Sequence, residues 1–536
     1  MSEERTAKNT KKQPASYVKK SKPKPHKTNA PSNAQEKTPR CPVSKRCGGC
    51  EWLRMPYDMQ LARKQAYVEE LYSDYRVTFE PIIGMDNPYY YRNKVQLPFA
   101  PAVFGKQPSN AEKPKNSRPA QEQQNRKKPL LATWGIFERG SHKIVPCDAC
   151  LVEDQQARPI ISQVAELITK YDIAPYNEDL GAGFLRYCLV RTAHATGQVM
   201  LTLICNGNKI PQERRFIEDL LKRCPSLTTV VLNENRDRTS VILGKQERIL
   251  YGKGFIEDVL CGCTFRISSS SFYQINAIQA EKLYAKAIDL ARLSPHDRIG
   301  DAYCGTGTIG IVAAHLSGAS LLGVERNPDA VENARENALL NGIENARFIA
   351  GDAGSVFAHM ARAGEPLDVV FMDPPRAGST QAFLANLCKL APQRIVYISC
   401  EPKTQHRDIS WLVHHGYRLK TVASVDMFPH TDHVETVCLL SKLSDAKHHI
   451  SVQVDMDELD LTAAESKATY EEIQEWVQVK YGFHVTHLNI AQVKRKHGII
   501  ERKNYNKPKS PDSKQPKCPE EKVKAIEEAM KHFQMI

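Results

Sequence analysis

Residues 261–445 show a regular exchange of two hydrophobic patterns. Short apolar runs rich in β-branched residues, among them DRIGDA, SLLGVE, ARFIA, LDVVFM and RIVYIS, alternate with longer amphipathic stretches. Runs of the first kind are typical of buried strands, and the stretches between them are typical of helices. The pattern therefore predicts an α/β domain built on a parallel sheet.

The rest of the chain has other patterns. Residues 41–260 begin with the cysteine-rich segment CPVSKRCGGC and continue with strand-like runs such as YRNKVQLPF and TTVVLNE, which predict a β-rich central domain. Residues 446–536 form a C-terminal extension with helical patterns in TYEEIQEWVQVKYG and EEKVKAIEEAMKHF. Two helices around a turn would resemble a helix-turn-helix, with Lys494, Arg495 and Lys496 near the end of the second; a plain packing appendage is the alternative.

The net charge of +13 is concentrated in two polar segments. Residues 1–40 contain 11 Lys/Arg and 3 Asp/Glu, and the insertion 104–130 contains 7 and 2, which together account for the whole excess. We expect both to be disordered, because such compositions cannot form a core. Basic arms suit a polyanion such as RNA, although a solubilising tail has the same composition. The chain has no run of about 18 apolar residues and no signal-like start, so we expect a cytoplasmic protein without a membrane span.

Several polar residues follow the predicted strands of the α/β domain. The first strand leads into the glycine turn of DAYCGTGTIG, which contains Tyr303 and Gly305, and the second strand ends at Glu325. The next two end at Asp352 and at Asp373, which opens the sequence DPPR. Ligands of doubly wound sheets bind at this edge, and an acid about 20 residues after the glycine turn can bind ribose hydroxyls. The layout is that of S-adenosylmethionine-dependent methyltransferases; the turn also fits a dinucleotide template, but DPPR disfavours that interpretation.

The strand RIVYIS is followed by Cys400, which places a thiol at the same edge. A buried, inert cysteine is the ordinary interpretation, but Glu435, in DMFPHTDHVETV, ends a loop that follows. A thiolate and a carboxylate beside a methyl donor suit methylation of a pyrimidine at carbon 5. Addition of the thiolate to carbon 6 makes carbon 5 nucleophilic, and a base then removes the carbon 5 proton.

The motifs SFYQIN, DAYCGTGTIG, DPPRAG, YISCEP and DMFPHTDHVETV together resemble those of the RNA uracil-C5 (5-methyluridine) methyltransferases, over about residues 41–445. The resemblance implies a Rossmann-like methyltransferase domain beside a β-rich RNA-binding domain that carries an iron–sulfur cluster. It implies that Cys400 is the nucleophile and Glu435 the general base, with Arg376 supporting the nucleotide or its loop. The residues implied to contact S-adenosylmethionine are Gln274, Tyr303, Gly305, Glu325, Asp352 and Asp373.

The chain has 15 cysteines, an odd number that favours metal binding or catalysis over disulfides in a cytosolic protein. Cys41, Cys47 and Cys50 are close in sequence, and Cys147 and Cys150 offer further ligands. Spacing alone is compatible with structural zinc or with a [4Fe–4S] cluster. The ribosomal-RNA branch of the family has a similar CGGC followed by a distant Cys-Leu. That resemblance implies a [4Fe–4S] cluster on Cys41, Cys47, Cys50 and Cys150, with Cys147 as an extra thiol and zinc as the alternative.

The same resemblance implies an RNA substrate, 23S ribosomal RNA, and a monomeric enzyme. Two alternatives are a transfer-RNA uridine-C5 methyltransferase and a non-catalytic iron–sulfur protein that binds or assembles RNA. In NPYYYRNKVQ, three tyrosines beside Arg92 and Lys94 suit unstacked bases and phosphates, although strand-core tyrosines are equally compatible. Family members often have a small β-barrel before the cysteine cluster; here we expect the basic arm to replace its RNA contacts.

Overall fold

The computed structural model describes residues 41–102, 132–141, 143–238, 241–443, 470–497 and 518–533. The basic arm 1–40 and the whole of the insertion 104–130 lie outside these residues. The chain divides into two compact units, residues 1–445 and 446–536, each described by itself below.

The helices and strands are, in chain order, α1 (Tyr57–Leu71), β1 (Thr78–Phe79), β2 (Lys94–Pro101), β3 (Ala132–Trp134), β4 (Ile136–Phe137), β5 (Ile144–Val145), α2 (Ala157–Lys170), β6 (Leu185–Thr192), β7 (Val199–Cys205), α3 (Glu213–Arg223), β8 (Leu227–Glu234), β9 (Gln246–Tyr251), β10 (Phe255–Leu260), β11 (Cys263–Ser268), α4 (Ala277–Ala291), β12 (Arg298–Ala302), α5 (Thr308–Ser317), β13 (Ser320–Glu325), α6 (Pro328–Leu340), β14 (Ala346–Ala350), α7 (Ala353–Ala363), β15 (Val369–Met372), α8 (Gln381–Leu390), β16 (Arg394–Ser399), α9 (Pro402–His414), β17 (Tyr417–Val425), β18 (Glu435–Lys442), α10 (Tyr470–Tyr481), α11 (His487–Lys496) and α12 (Glu520–His532).

The larger sheet of the first unit has the strand order β1-β17-β18-β16-β15-β12-β13-β14. Its strands are parallel except β18, which runs antiparallel to both β16 and β17. From β12 the chain winds first through β13 and β14 on one side and then continues with β15 and β16 on the other. The switch point therefore lies between β12 and β15, and a crevice opens there at the carboxyl ends of the strands.

This sheet is buried on both faces, which explains its continuous apolar runs. One core packs α4, α5 and α6 on the sheet, and the other packs α7, α8 and α9 on the opposite face. Local signals fit these helices: Asn327 caps α6 with a proline in its first turn, and Thr380 caps α8.

A second, six-stranded sheet has the order β3-β2-β6-β7-β8-β9, with α2 and α3 packed on one of its faces. It corresponds to the β-rich region expected from the sequence. The segment before it differs from the expectation that residues 41–260 form one domain. Helix α1 packs on α9 and β17, and the two-residue strand β1 pairs with β17, so this part joins the larger sheet.

The second unit contains three helices in its described residues. Helices α10 and α11 are separated by residues 482–486, and α12 packs against both around a small apolar core. Thr486 and Asn489 form a capping box that fixes the start of α11. Lys494, Arg495 and Lys496 lie in the last turn of α11, but Lys494 is buried and Lys496 pairs with Glu527 at 2.8 Å. A nucleic-acid role for this unit stays a prediction.

None of the helices in the described ranges combines the length and the apolar character that crossing a membrane requires.

Candidate active site

A cavity of about 730 Å³ opens at the carboxyl ends of the larger sheet. Eight residues are expected from the sequence to take part in catalysis or cofactor binding. They come from seven separate chain segments, and all line this cavity: Gln274, Tyr303, Gly305, Glu325, Asp352, Asp373, Cys400 and Glu435. Six of the eight end or follow parallel strands of this sheet, whose carboxyl ends meet at one edge, whereas Gln274 and Glu435 reach the cavity in other ways.

The strand register places Cys400 beside Glu435. In the antiparallel pair of β16 and β18, Ser399 lies opposite Thr436. Cys400 is the next residue after Ser399 and Glu435 is the residue before Thr436, so the two face one another one step further along the ladder. Strand β18 is the antiparallel member of the sheet, and this reversal brings a carboxylate from the start of a strand to the edge where the other strands end.

Burial and charge together keep the Cys400 thiol protonated. Burial, followed by the negative charges of Glu435 and Asp373, raises the pKa of Cys400 to about 11, while the charge of Arg376 and a hydrogen bond from it act in the opposite direction. Burial also raises the pKa of Glu435 well above its ordinary value, with Asp373 adding to the rise and Arg376 opposing it. The cavity as it stands therefore favours the neutral form of both groups, and Arg376 favours the charged forms.

The glycine turn is hydrogen-bonded to the side chain of Glu325 at the end of the next strand. Tyr303 has a φ of 72°, and its hydroxyl lies 3.2 Å from the Oγ of Ser379. The Gly305 N–H donates to Oε2 of Glu325 at 3.2 Å, and the Asn327 N–H donates to Oε1 at 2.9 Å. Glu325 is thereby fixed at the cavity wall, where an acid that binds ribose hydroxyls is expected.

Asp301 supports this turn from below. It is almost completely buried, and its Oδ2 accepts the Gly310 N–H at 2.9 Å. A Cβ at Gly310 would lie 2.8 Å from the same oxygen, so the close approach of α5 to the strand requires glycine there. Asp301 is therefore a structural residue of the turn rather than part of the cavity lining.

The two remaining acids have different environments. Asp352 caps α7 through the Ser355 N–H and accepts from Arg326 at 2.5 Å, and the bond with Arg326 lowers its pKa. Burial, with the charge of Asp301 adding to it, raises the pKa of Asp373 to about 7. The charged form of Asp373 is therefore disfavoured by burial, whereas that of Asp352 is stabilised by its bond with Arg326.

Sequence reasoning missed several residues at this site. Phe272, whose side chain is 69% exposed, and Phe428 line the cavity without any charged partner to mark them. Lys64 and Asp426 form a fully buried ion pair at 2.6 Å, although 362 residues separate them. This pair anchors the start of the loop that leads to Glu435. The motif DMFPHTDHVETV includes Asp426 and Phe428, but nothing local in the sequence predicts the partner Lys64.

The predicted cysteine cluster forms a second cavity, of about 490 Å³. Its lining includes Cys41, Cys47, Cys50, Cys147 and Cys150, all of them free thiols. Burial raises the pKa of Cys50 to about 12, and the other thiols that act on it are Cys150, Cys47 and Cys41. The Cys147 thiol is not among these; it donates to the carbonyl of Ala149 at 2.8 Å, and its charge acts on Cys47.

The donor set of this cavity fits an iron–sulfur centre. Within the described residues, no three His, Cys, Asp or Glu side chains converge on the position of a single metal ion. A four-iron centre takes one thiolate at each of its separate corners, so thiols spread around a cavity are compatible with it. The cavity wall also contains the cations Arg92, Lys94 and Arg158, which suit an anionic thiolate-bound group.

The tyrosines of NPYYYRNKVQ are mostly used inside the protein. Tyr91 is buried and its hydroxyl donates to the carbonyl of Pro429 at 3.1 Å, so a role for it in stacking on RNA is wrong. Tyr89 stacks on His430 with ring centres 4.9 Å apart. Tyr90 is 38% exposed. Arg92 and Lys94 face the cysteine cavity, and burial with the charges of Arg191 and Arg92 lowers the pKa of Lys94 to about 8.

Comparison with known proteins agrees with this geometry. Residues 239–443 match the family model described as tRNA (Uracil-5-)-methyltransferase. An RNA methyltransferase of Staphylococcus aureus is 38% identical over 75% of this chain and 84% of its own length, and one of Clostridium acetobutylicum is 36% identical over 76% and 85%. The solved structure of the Pyrococcus abyssi tRNA (uracil-54, C5)-methyltransferase, in complex with S-adenosyl-L-homocysteine, is 27% identical and superimposes with a TM-score of 0.58, covering 73% of this chain and 86% of that one.

The fold and these relatives define the class of the protein as an RNA methyltransferase. The chain belongs to the RNA uracil-C5 methyltransferase family. The family resemblance expected from the sequence motifs is thereby confirmed.

Proposed function

We propose that this protein methylates carbon 5 of a uridine in RNA with S-adenosylmethionine as methyl donor, through a covalent adduct between Cys400 and carbon 6 of the base. One observation carries the proposal. The register of β16 and β18 sets Cys400 beside Glu435, in the same cavity as six residues that suit the methyl donor.

The residues divide the reaction between them. Cys400 Sγ bonds to carbon 6, and the electrons of the carbon 5–carbon 6 double bond become an enolate. When bound, S-adenosylmethionine supplies an electrophilic methyl group, which carbon 5 takes as S-adenosylhomocysteine leaves. The Glu435 carboxylate removes the carbon 5 proton, the double bond re-forms, and the Cys400 thiolate is expelled.

These reaction steps require the Cys400 thiolate and the Glu435 carboxylate, and burial disfavours both charged forms. The positively charged Arg376 favours the Cys400 thiolate and the Glu435 carboxylate. The positive charge of a sulfonium near the same carboxylates acts in the same direction. Donor binding therefore favours the charged forms of the nucleophile and the base, and without the donor most of the Cys400 thiol stays protonated.

The donor is held, in this proposal, by the glycine turn and the strand-end acids. Glu325 binds the ribose hydroxyls, and Gly305 leaves room for the donor to approach the backbone. Tyr303, Gln274, Asp352 and Asp373 complete the site. The base is flipped into the remaining part of the cavity or is unpaired beforehand, because carbons 5 and 6 are inaccessible in a stacked helix.

The proposed substrate is 23S ribosomal RNA, and the protein acts as a cytoplasmic monomer with a [4Fe–4S] cluster on Cys41, Cys47, Cys50 and Cys150. The cluster supports the RNA-facing region rather than the chemistry, since methyl transfer moves no electrons between centres. Transfer RNA is the second candidate, favoured by the similarity to the Pyrococcus abyssi enzyme. Methylation of in vitro transcripts of 23S rRNA domains and of tRNA, with tritiated donor, distinguishes them.

RNA containing 5-fluorouridine tests the mechanism. Fluorine cannot leave as a proton, so the protein with S-adenosylmethionine should form a stable adduct that migrates slowly in a denaturing gel. Glu435→Gln should accumulate an adduct on ordinary RNA, and Cys400→Ala should form none on either RNA. Absence of the wild-type adduct at saturating donor would falsify the covalent mechanism and leave the non-catalytic RNA-binding alternative.

A further inference from the structure

Residues Tyr90–Lys94 lie between the cysteine cavity and the catalytic cavity, which is the one that contains Cys400 and Glu435. Their backbone contacts the wall of the cysteine cavity. The Tyr90 N–H donates to the carbonyl of Leu151 at 2.9 Å, and the Arg92 N–H donates to that of Val152 at 2.8 Å. The Asp154 N–H in turn donates to the carbonyl of Arg92 at 2.9 Å. Three hydrogen bonds thus fix this segment to the chain that directly follows Cys150.

The residue between the two cations contacts the opposite side. The Asn93 N–H donates to the carbonyl of Ile275 at 2.9 Å, and its Nδ2 donates to the carbonyl of Gln274 at 3.0 Å. Gln274 lines the catalytic cavity, and Ile275 lines both cavities. Asn93 is therefore buried and hydrogen-bonded to the stretch of wall that the two cavities share.

The cations on this segment have no carboxylate to compensate them within the described residues. Lys94 lies directly opposite Arg191 on the neighbouring strand, an arrangement that is destabilising for like charges. The Arg191 guanidinium donates to the carbonyls of Ser269 and Ser271, which precede Phe272 in the same cavity wall. Movement of Lys94 away from Arg191 would consequently disturb this wall at a second point.

We propose that the segment Arg92–Lys94 couples the two cavities, so that an anionic thiolate-bound centre in the cysteine cavity raises the affinity of the catalytic cavity for its cofactor. The centre compensates Arg92 and Lys94 and keeps Lys94 in register with Arg191. Without it the cations repel one another, and Asn93 no longer holds Gln274 and Ile275 in place. Asn93 and Lys94 are positioning residues in this scheme. The proposal goes beyond the proposed function but depends on the cluster and the methyl-donor site proposed there.

The test compares one full-length protein in two states. Anaerobically purified protein and the same protein after iron chelation are titrated calorimetrically with S-adenosylhomocysteine, and circular dichroism checks that both are folded. We expect chelation to weaken binding about tenfold, within the usual range of coupling between sites. Because coupling is reciprocal, S-adenosylhomocysteine should also protect the iron from the chelator by the same factor.

Variants separate coupling from simple loss of stability. Asn93→Ala should bind the ligand weakly in both states, and Lys94→Met should bind it with similar affinity in both, so each variant loses the difference between the states. Asn235→Ala is the matched control, because Asn235 is also buried and its Nδ2 donates to two backbone carbonyls away from the shared wall. It should keep the tenfold difference.

The failures are distinguishable. Equal affinities in the two states of the wild type, or a preserved difference in Asn93→Ala, overturn the coupling and leave the proposed function intact. Loaded protein that does not bind S-adenosylhomocysteine, or protein that takes up no iron, overturns the proposed sites themselves and the coupling with them.

Discussion

The two cavities of the first unit have opposite charge. The catalytic cavity is lined by the four carboxylates Glu325, Asp352, Asp373 and Glu435 against two guanidinium groups. The cysteine cavity is lined by three cations against the single carboxylate of Glu153, which pairs with Arg158 at 2.7 Å. The lining of the catalytic cavity therefore has an excess of acidic groups, and the lining of the cysteine cavity has an excess of basic groups.

The difference indicates what each cavity requires. Charges held away from water are costly unless an opposite charge accompanies them. In the catalytic cavity the cost appears as the raised pKa values of Asp373 and Glu435, which a sulfonium would relieve. In the cysteine cavity it appears as cations without carboxylate partners, which a thiolate-bound centre would compensate. Each cavity is thus matched to a ligand of opposite charge, and the predictions below test the two halves of this comparison.

The largest effect is expected from removal of the proposed nucleophile. Cys400→Ala should lower the rate of RNA methylation by at least about a thousand-fold, because the reaction then lacks covalent activation. S-adenosylhomocysteine binding should remain within about threefold of wild type, since carbon 6 rather than the donor contacts the thiol. Cys388→Ala is the matched control: burial raises its pKa to about 11 as well, but Cys388 lies outside the cavity. Substantial turnover by Cys400→Ala contradicts the assignment.

The second effect concerns the cysteine cavity. Cys150→Ala should abolish the visible absorption and the bound iron of anaerobically purified protein, because Cys150 is one of the three thiols acting on Cys50. Cys147→Ala should retain both, because Cys147 is not among the thiols acting on Cys50 and its thiol donates to the carbonyl of Ala149. Iron and absorption spectra measured side by side decide between them. The reverse outcome would mean that Cys147, and not Cys150, is the fourth ligand. Colourless protein with stoichiometric zinc in both variants would mean that the site binds zinc and not an iron–sulfur cluster.

Much of the catalytic cavity follows from the sequence because its signals are local. Each strand-end residue, such as Glu325 or Cys400, comes directly after an apolar run, and parallel strands bring such ends together whatever their separation in the chain. The pairing of Cys400 with Glu435 was suggested by chemistry, and the antiparallel direction of β18 supplies its geometry. The family motifs add Gln274 as a proposed cofactor contact, although it follows no strand of this sheet.

The connections between regions were not predictable, because they depend on distant pairings with no periodic signal. Strand β1 has two residues and cannot be recognised from alternation. Lys64 and Asp426 lie 362 residues apart, and a lysine on a helix ordinarily indicates a solvent-exposed face. Arg92 and Lys94 looked like RNA contacts because charge and neighbouring tyrosines are visible in the sequence, whereas the cavity that they face exists only after folding.

A third prediction uses the raised pKa of Asp373. Its pKa of about 7 in the fold lies above the ordinary 3.8, so the folded state binds more protons and stability is lost as pH rises through 7. Asp373→Asn removes this loss, and the variant should be more stable than wild type at pH 8 by roughly 2–4 kcal/mol. The gain should vanish near pH 4. Thermal melting at both pH values measures it, and activity should fall as stability rises.

Asp368→Asn is the matched control for this prediction. A hydrogen bond from Arg298 lowers the pKa of Asp368, so its charged form stabilises the fold above the unfolded pKa and this contribution is lost as pH falls. The variant should therefore be slightly less stable than wild type at pH 8, by under about 1 kcal/mol because the pair is partly exposed. An Asp373→Asn protein that melts below wild type at pH 8 contradicts the raised pKa.

The smallest effect isolates the cation that opposes the acids. Arg376 lowers the pKa of Cys400 against the larger contributions of burial and of the two carboxylates. Arg376→Gln should therefore slow alkylation of Cys400 by iodoacetamide about three- to tenfold at pH 8 in RNA-free protein, because the thiolate is the reactive form. Arg326 lines the same cavity but pairs with Asp352. Arg326→Gln should therefore leave the alkylation rate of Cys400 unchanged. Quantitative mass spectrometry of the Cys400 peptide, with the Cys388 peptide as internal reference, measures both. Faster alkylation in Arg376→Gln would mean that the arginine restricts access to the thiol instead of stabilising its anion.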